Sequence, residues 1–232
     1  RQMCIRDSYT KLPTYPQTIA RMKESLPPRT KFIYIIRHPI DRLVSHYIHE
    51  WTQRVLDVPI DRAIEEFPML IEYSRYAMQL SPFLATFGRD RILPVFFERL
   101  ASHPQSELER VCRFIDYPGL PRWDDSMGEQ NVSNQRLRRS GWRDAMINVP
   151  GLKWMRRRLV PQGVRDQVKL LWTMKRRPEL SPNSVAKVTE IFDADLAQWG
   201  SWLRLPLSCA TFKQVAANHS PDWTAHAEVD AA

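Results

Sequence analysis

The feature of this sequence that most restricts its fold is a short apolar run that leads at once into a proline turn and an amphipathic helix. Residues 31–36 (Lys-Phe-Ile-Tyr-Ile-Ile) are β-branched and aromatic without alternation, which is typical of a strand buried on both faces of a parallel sheet. Residues 37–39 (Arg-His-Pro) turn the chain, and Leu43, Tyr47 and Trp51 then recur at helical spacing. The sequence therefore predicts a strand–turn–helix unit.

Further helices and one further strand alternate along the chain. Helical spacing predicts helices over residues 18–26, 60–67, 73–87 and 104–115. Residues 92–97 predict a second strand, with Pro94 at an edge or at the strand start. A last helix is predicted from the N-cap Ser181 to Trp199, with Gly200 as its C-cap. This alternation predicts an α/β fold with a mainly parallel sheet flanked by helices.

Length and composition agree with one ordinary folded domain or with two very small ones. The chain has 232 residues, 43% of them hydrophobic and 26% charged, which excludes a disordered or fibrous protein. No stretch approaches 18 consecutive apolar residues, so we expect no membrane-spanning segment. The three cysteines (Cys4, Cys112 and Cys209) are too far apart for a disulfide framework or a CxxC motif. They suit a reducing compartment, and we expect a cytoplasmic protein.

Positive charge is concentrated in one part of the chain. The net charge is +8, and residues 136–177, the basic segment, contain 13 lysines and arginines against two acids. A patch of this kind is typical of proteins that bind a phosphorylated small molecule, a polyanion or a membrane surface. A solvated basic face without a ligand has the same composition, so charge alone leaves these alternatives open.

The residues that follow the first strand have the chemistry of a phosphate site. Arg37 leaves the carboxyl end of the strand, where open α/β sheets bind their ligands. Ser45 follows about two helical turns later, so the fold could bring a guanidinium and a hydroxyl to one phosphate. The N-terminus of the helix adds a favourable dipole. An ordinary salt-bridged arginine and an ordinary helical serine would show the same spacing.

The complete string resembles the 3′-phosphate-binding segment of sulfotransferases that use 3′-phosphoadenosine 5′-phosphosulfate (PAPS). That segment is an apolar strand, then Arg-Asp-Pro, a second arginine and a serine. This chain has Arg37-His38-Pro39, Arg42 and Ser45, with histidine where the family has aspartate. The likeness covers roughly residues 7–206. Weaker similarities lie at residues 7–13, 26–27, 76–88, 92–100 and 178–182.

The resemblance implies a fold, a reaction and binding residues. The fold is a P-loop-NTPase-like α/β sheet, and the reaction is transfer of a sulfuryl group from PAPS to an acceptor hydroxyl or amine, with no metal. Arg37 and Ser45 would hold the 3′-phosphate of PAPS and of its product, 3′-phosphoadenosine 5′-phosphate (PAP). Arg138 and Arg139, followed by Gly141, resemble a loop that clasps the same phosphate. A carbohydrate, a lipid, a metabolite or a protein could be the acceptor.

One part of the family pattern has no counterpart in these residues. The family's phosphate loop, its catalytic lysine and its general base would precede Asp7, and no GxxxxGK[ST] loop occurs in the 232 residues. We therefore expect the N-terminal strand and phosphate loop to be missing, the catalytic residues to be unknown, and the chain to be inactive on its own. We divide it into a fragment start (1–8), a sulfotransferase-like domain (9–206) that includes the basic segment, and a flexible tail (207–232).

Other classes of function have weaker support. A non-catalytic module could bind nucleic acid or another polyanion through the basic segment, but neither an RNA-binding aromatic signature nor a helix-turn-helix is present, so nucleic acid is not expected. A P-loop kinase relative would need a Walker loop upstream. His46 and His49 lie three residues apart on the predicted helix, and no carboxylate or cysteine pattern completes a metal site there.

Overall fold

The computed structural model describes residues 10–127 and 177–223, and the sheet within them consists of two parallel strands. Strand β1 (Phe32–Ile36) and strand β2 (Ile92–Phe96) pair in register along their whole length. Because parallel neighbours need a long crossover, the helices between the strands are a necessary part of the sheet. The predicted α/β architecture with a parallel sheet is confirmed.

Helices surround the strands. Helix α1 (Thr18–Ser25) precedes β1. The crossover contains α2 (Pro39–Thr52), α3 (Ile60–Glu66), α4 (Met69–Glu72) and α5 (Tyr76–Phe87). After β2 come α6 (Phe97–Ser102), α7 (Pro104–Phe114), α8 (Pro182–Leu203) and α9 (Phe212–Asn218). Short 3-10 turns lie at Arg89–Arg91 and Asp125–Met127. None of the helices described is long and apolar enough to cross a bilayer.

Two apolar clusters form the interior, and α8 belongs to both. The first cluster packs the inner face of the sheet against α1, α5, α9 and the second half of α8, which contributes Trp199. The second cluster joins α2, α3 and α4 to the first half of α8, which contributes Phe192. The 22-residue helix therefore fixes α2 and α5 relative to each other, and both of these helices begin near the carboxyl end of β1.

The two strands differ in burial, and the prediction of a fully buried first strand is wrong. Strand β2 is buried along its whole length. On β1, Ile33 and Ile35 are 43% and 55% exposed, while Ile36 belongs to the first apolar cluster. In the described part of the chain, β1 also has a strand neighbour on one edge only. An apolar run without alternation therefore does not require both faces of this strand to be covered here.

Helix α8 begins as predicted and ends later than predicted. The Ser181 hydroxyl accepts a hydrogen bond from the backbone of the first turn, which confirms it as the N-cap. The predicted C-cap at Gly200 is wrong, because the helix continues to Leu203 and ends at Arg204 with φ 54°. Gly200 is needed for a different reason. A Cβ atom there would clash with the carbonyl oxygen of Leu205, where the chain folds back on the helix.

The predicted flexible tail over residues 207–232 is wrong for residues 207–223. Helix α9 packs into the first cluster through the fully buried Phe212. The indole nitrogen of Trp223 donates a hydrogen bond to the Ile92 carbonyl at 2.6 Å. Two widely spaced aromatic residues, Phe212 and Trp223, thus attach to the core a segment that otherwise consists mostly of small and polar residues. The rest of the predicted tail lies outside the described residues.

A buried carboxylate fastens this C-terminal segment to the strands. Glu107 on α7 is fully buried and accepts hydrogen bonds from Arg99 (2.9 Å), Arg110 (2.7 Å) and Ser220 (3.0 Å). The two guanidinium groups also donate to backbone carbonyls of β2 and of the C-terminal segment, those of Pro94, Ala217 and Pro221. Burial acts to raise the pKa of Glu107, but the bonds and charge of Arg110, with Ser220 and Arg99, hold that pKa below its ordinary value.

We expect Glu107→Gln to lower the free energy of unfolding by about 3 kcal/mol at pH 7, because two nearly buried guanidinium groups lose their counter-charge. A carboxyl whose folded-state pKa is lowered stabilises the fold above its ordinary pKa, and this stabilisation is lost as the pH falls through the lowered value. The difference between wild type and variant should therefore shrink as the pH falls below about 4. Urea unfolding followed by circular dichroism from pH 7 to pH 3 measures it.

Glu109→Gln is the matched control, because Glu109 lies on the same helix, is exposed and accepts a bond from the exposed Gln105. Its free energy of unfolding should change by less than about 0.5 kcal/mol. Equal small effects of the two substitutions, or a Glu107→Gln effect of the same size at every pH, would contradict this account of α7.

Candidate functional site

The two side chains singled out by the sequence meet at the carboxyl end of β1. Arg37 is the first residue after the strand, and its Nη1 donates a hydrogen bond to Ser45 Oγ at 3.2 Å. Both side chains are half-buried and border solvent. A guanidinium and a hydroxyl therefore occupy one spot at the sheet edge where ligands of α/β folds bind.

Helix α2 presents Ser45 to this spot because its opposite face is buried. Leu43, Val44, Tyr47 and Ile48 are buried in the second apolar cluster. Ser45 follows Val44 in sequence but lies on the half-buried face of the helix. At a rise of 1.5 Å per residue, it is roughly 9 Å along the axis from the start of the helix. A long arginine side chain that runs beside the helix can cover this distance.

The Arg37 guanidinium lies against an aromatic ring. Its Cζ is 4.9 Å from the centroid of Phe97, a ring that is 42% exposed. Within the ranges 10–127 and 177–223, no carboxylate forms an ion pair with Arg37. The positive charge at the strand end is therefore available to an anion, and the ring restricts the positions that the guanidinium can take.

Two side chains from other elements hold the backbone of the turn. The buried hydroxyl of Tyr76 accepts a hydrogen bond from the Arg37 amide at 3.2 Å and donates one to the Arg37 carbonyl. Glu98 Oε1 accepts a hydrogen bond from the His38 amide at 2.8 Å. Burial raises the pKa of Tyr76 well above its ordinary value, so the hydroxyl keeps the proton that it donates.

Sequence spacing does not predict that Tyr76, Glu98 or Phe97 belong to the site. Helical spacing and the weaker family similarity over residues 76–88 place Tyr76 on a helix and give it no role in the site. A fully buried tyrosine needs a hydrogen-bond partner for its hydroxyl, and this requirement is the one sequence-level indication of a special role for Tyr76. The partner is 39 residues away, so the sequence alone does not identify it. Glu98 and Phe97 follow β2 directly, so parallel pairing brings them to the same sheet edge as Arg37.

The second arginine of the motif lies nearby and bonds to another group. Arg42 Nη1 donates to the hydroxyl of the buried Ser74 at 3.3 Å. Its charge also acts to lower the pKa of Tyr76, against the larger effect of burial. Arg42 is therefore directed toward the loop between α4 and α5, whereas Arg37 is directed toward Ser45.

The two histidines of α2 lie farther along the same helix. His46 stacks on Tyr73 with 5.4 Å between ring centroids, and its Nε2 lies 3.5 Å from Glu50 Oε1. The hydrogen bond from His46 outweighs burial and holds the pKa of Glu50 below its ordinary value. Among the described residues, no group of three or more histidine, cysteine, aspartate or glutamate side chains could bind a metal ion, and neither His46 nor His49 is part of such a group.

Most of the basic segment, including Arg138 and Arg139, lies outside the described residues. Its last residue, Arg177, donates to Asp41 Oδ1 at 2.9 Å, and Lys213 of α9 lies 2.8 Å from the other carboxylate oxygen. Burial acts to raise the pKa of Asp41, but the bond and charge of Lys213, with neighbouring charges, hold it below its ordinary value. The end of the basic segment is thus tied to the first turn of α2.

Comparison with known proteins identifies the relatives of this chain. A family model described as "Sulfotransferase family" matches residues 2–125, which is more than half of the chain. The matched range includes β1, β2, Arg37 and Ser45.

Two curated relatives match shorter ranges. A Caenorhabditis elegans protein named "Putative protein-tyrosine sulfotransferase" is 27% identical over 132 residues, which are 56% of this chain and 46% of that protein. Mouse heparan sulfate glucosamine 3-O-sulfotransferase 3B1 is 33% identical over 103 residues, which are 40% of this chain and 25% of that protein. The matches thus span less than half the length of these relatives.

A solved structure supports the fold independently. The sulfotransferase from Alicyclobacillus acidocaldarius superposes with a TM-score of 0.52 at 20% sequence identity, over 83% of this chain and 62% of that one. At this identity the likeness establishes the fold, which agrees with the predicted P-loop-like α/β architecture. The matched family model, the strand–turn–helix motif and the shared fold together lead to one conclusion: the chain belongs to the sulfotransferase family.

Proposed function

We propose that this chain binds the nucleotide donor in an enzyme that transfers a sulfuryl group from PAPS to an acceptor. The observation that carries the proposal is the contact of 3.2 Å between Arg37 Nη1 and Ser45 Oγ at the carboxyl end of β1. Membership of the sulfotransferase family supplies the reaction class. The pair supplies a site for the donor's 3′-phosphate.

The chemistry of a phosphate monoester fits this pair. Such a group carries close to two negative charges and accepts several hydrogen bonds, so it needs a cation and directional donors. Arg37 supplies a charged fork of N–H donors, and the Ser45 hydroxyl can rotate to donate toward a phosphate oxygen.

The reaction itself is a displacement at sulfur. An acceptor oxygen or nitrogen forms a bond to the sulfur, the bond between sulfur and the 5′-phosphate oxygen breaks, and PAP leaves with that electron pair. The acceptor's proton goes to a general base. In our proposal, Arg37 and Ser45 bind and orient the donor, while the catalytic lysine and the base come from residues upstream of this chain.

The acceptor is proposed only by chemical class. The names of the two curated relatives refer to protein tyrosine and to the 3-O position of heparan sulfate glucosamine, and each of these targets is a hydroxyl group. We therefore favour a hydroxyl-bearing acceptor over an amine. Arg138 and Arg139 are proposed to bind the 3′-phosphate together with Arg37. Cytoplasmic localisation stays a prediction.

We expect Arg37→Ala to weaken PAP binding by roughly 10- to 100-fold and Ser45→Ala by roughly tenfold, since each removes a hydrogen bond to a charged phosphate. Isothermal titration calorimetry on the full-length protein measures both. Arg62→Ala is the matched control, because Arg62 lies on the exposed surface of α3 and pairs with Glu66. Wild-type affinity in both site variants, with the control also unchanged, would disprove the assignment.

We also expect the 232-residue chain alone to transfer no sulfate above background, whereas the full-length protein is active. The reason is that no phosphate-loop lysine motif occurs in these residues. Radiolabelled PAPS with desulfated heparan sulfate and with tyrosine peptides as acceptors provides the assay. Equal turnover by the two proteins would contradict the proposed upstream position of the catalytic groups.

A further inference from the structure

Two side chains that do not face the phosphate site bind the backbone that carries its arginine. We propose that Tyr76 and Glu98 are positioning residues, which fix the backbone of Arg37 and His38 and thereby aim the Arg37 guanidinium at the donor's 3′-phosphate. This inference rests on the proposed function. It adds two residues that act through Arg37 and do not themselves touch the donor.

Tyr76 takes the place of a strand neighbour for Arg37. Strand β1 ends at Ile36, so the Arg37 amide and carbonyl lie beyond its pairing with β2. The Tyr76 hydroxyl accepts a bond from that amide at 3.2 Å and donates one to that carbonyl. A hydroxyl has one proton and two lone pairs, so it makes both bonds at once. One side chain thus restrains both backbone polar groups of the residue that carries the site's positive charge.

The Tyr76 hydroxyl is itself held in a fixed position. Tyr76 is the first residue of α5, and the next two amides of that helix, those of Ala77 and Met78, donate to the carboxylate of Asp195 at 2.9 and 3.0 Å. Asp195 is buried on α8. The Tyr76 ring also packs edge-on against Tyr34 of β1, with 6.2 Å between centroids. The hydroxyl therefore has little freedom to move with Arg37.

Glu98 restrains the next residue from the neighbouring strand. It follows β2 by two positions, and its Oε1 accepts a hydrogen bond from the His38 amide at 2.8 Å. Its other oxygen, Oε2, is buried with no hydrogen-bond partner in the described part of the chain. An unsatisfied buried carboxylate oxygen costs folding free energy, so a residue kept for stability alone would favour a neutral side chain here. This favours a positioning role.

The consequence of a fixed backbone is a guanidinium with few alternative positions. Beyond its restrained backbone, Arg37 lies on the Phe97 ring and donates to Ser45. A binding group that is already held in its bound geometry loses less conformational entropy when the ligand arrives. Release of the turn should therefore weaken recognition of the 3′-phosphate specifically and leave contacts with the rest of the nucleotide intact.

The test compares two nucleotides that differ only in this phosphate. PAP carries the 3′-phosphate and adenosine 5′-monophosphate (AMP) lacks it. With the full-length protein, Tyr76→Phe should weaken PAP binding roughly tenfold and leave AMP binding unchanged. Tyr73→Phe is the matched control, because it also removes a buried hydroxyl, one that donates to Thr14 and does not touch Arg37. The control should keep the wild-type ratio of PAP to AMP affinity.

A combined variant separates positioning from a general loss of structure. In an Arg37→Ala background, Tyr76→Phe should cause no further loss of PAP affinity, since its effect passes through Arg37. A merely structural role would weaken binding equally in both backgrounds and would overturn the proposal. Should Tyr76→Phe fail to fold by circular dichroism, Glu98→Ala is tested in the same way.

The outcomes distinguish this inference from the proposed function. Equal affinity of the wild type for PAP and AMP would contradict the proposed phosphate site itself. A second outcome is that the wild type prefers PAP, Arg37→Ala abolishes this preference, and both Tyr76→Phe and Glu98→Ala keep it in full. That result would overturn the positioning roles and leave the proposed function standing.

Discussion

Parallel pairing of β1 with β2 is the constraint on which the site depends. It places the carboxyl ends of both strands at one edge of the sheet, so Arg37 after β1 and the Phe97–Glu98 pair after β2 become neighbours although 60 residues separate them. The crossover between parallel strands is also what brings the start of α5, with Tyr76, back to the same edge. The geometry of the proposed phosphate site is thus a consequence of strand direction before any single side chain is considered.

Buried polar groups then hold the surrounding elements in register. Asp195 on α8 binds the first amides of α5, and Glu107 on α7 binds two arginines that reach the C-terminal segment. Each carboxylate joins parts of the chain that are more than 100 residues apart. In a fold whose described sheet has only two strands, such contacts and the long helix α8 supply the connections that additional strands would otherwise make.

The sequence predicted what depends on local order and missed what depends on distant partners. The strand–turn–helix unit and the meeting of Arg37 with Ser45 follow from eight residues of spacing and a family resemblance. Spacing and the weaker family similarity place Tyr76 on a helix but indicate no role for its hydroxyl, because the hydrogen-bond partner lies in another element. The small, polar average composition of residues 207–223 predicts a tail, because a few well-separated aromatic residues that pack into the core hardly change that average. The sequence predicts Gly200 as a helix end, because it does not reveal that the backbone of Leu205 approaches this glycine closely.

The account's central claim is that Arg37 and Ser45 jointly bind the ribose-linked phosphate of the donor. A crystal structure of the full-length protein with bound PAP tests it most directly. We expect oxygens of the 3′-phosphate to lie about 2.7–3.2 Å from both the Arg37 guanidinium and Ser45 Oγ, with the nucleotide at the carboxyl end of β1. A nucleotide bound elsewhere, with Arg37 and Ser45 still bonded only to each other, would contradict the account.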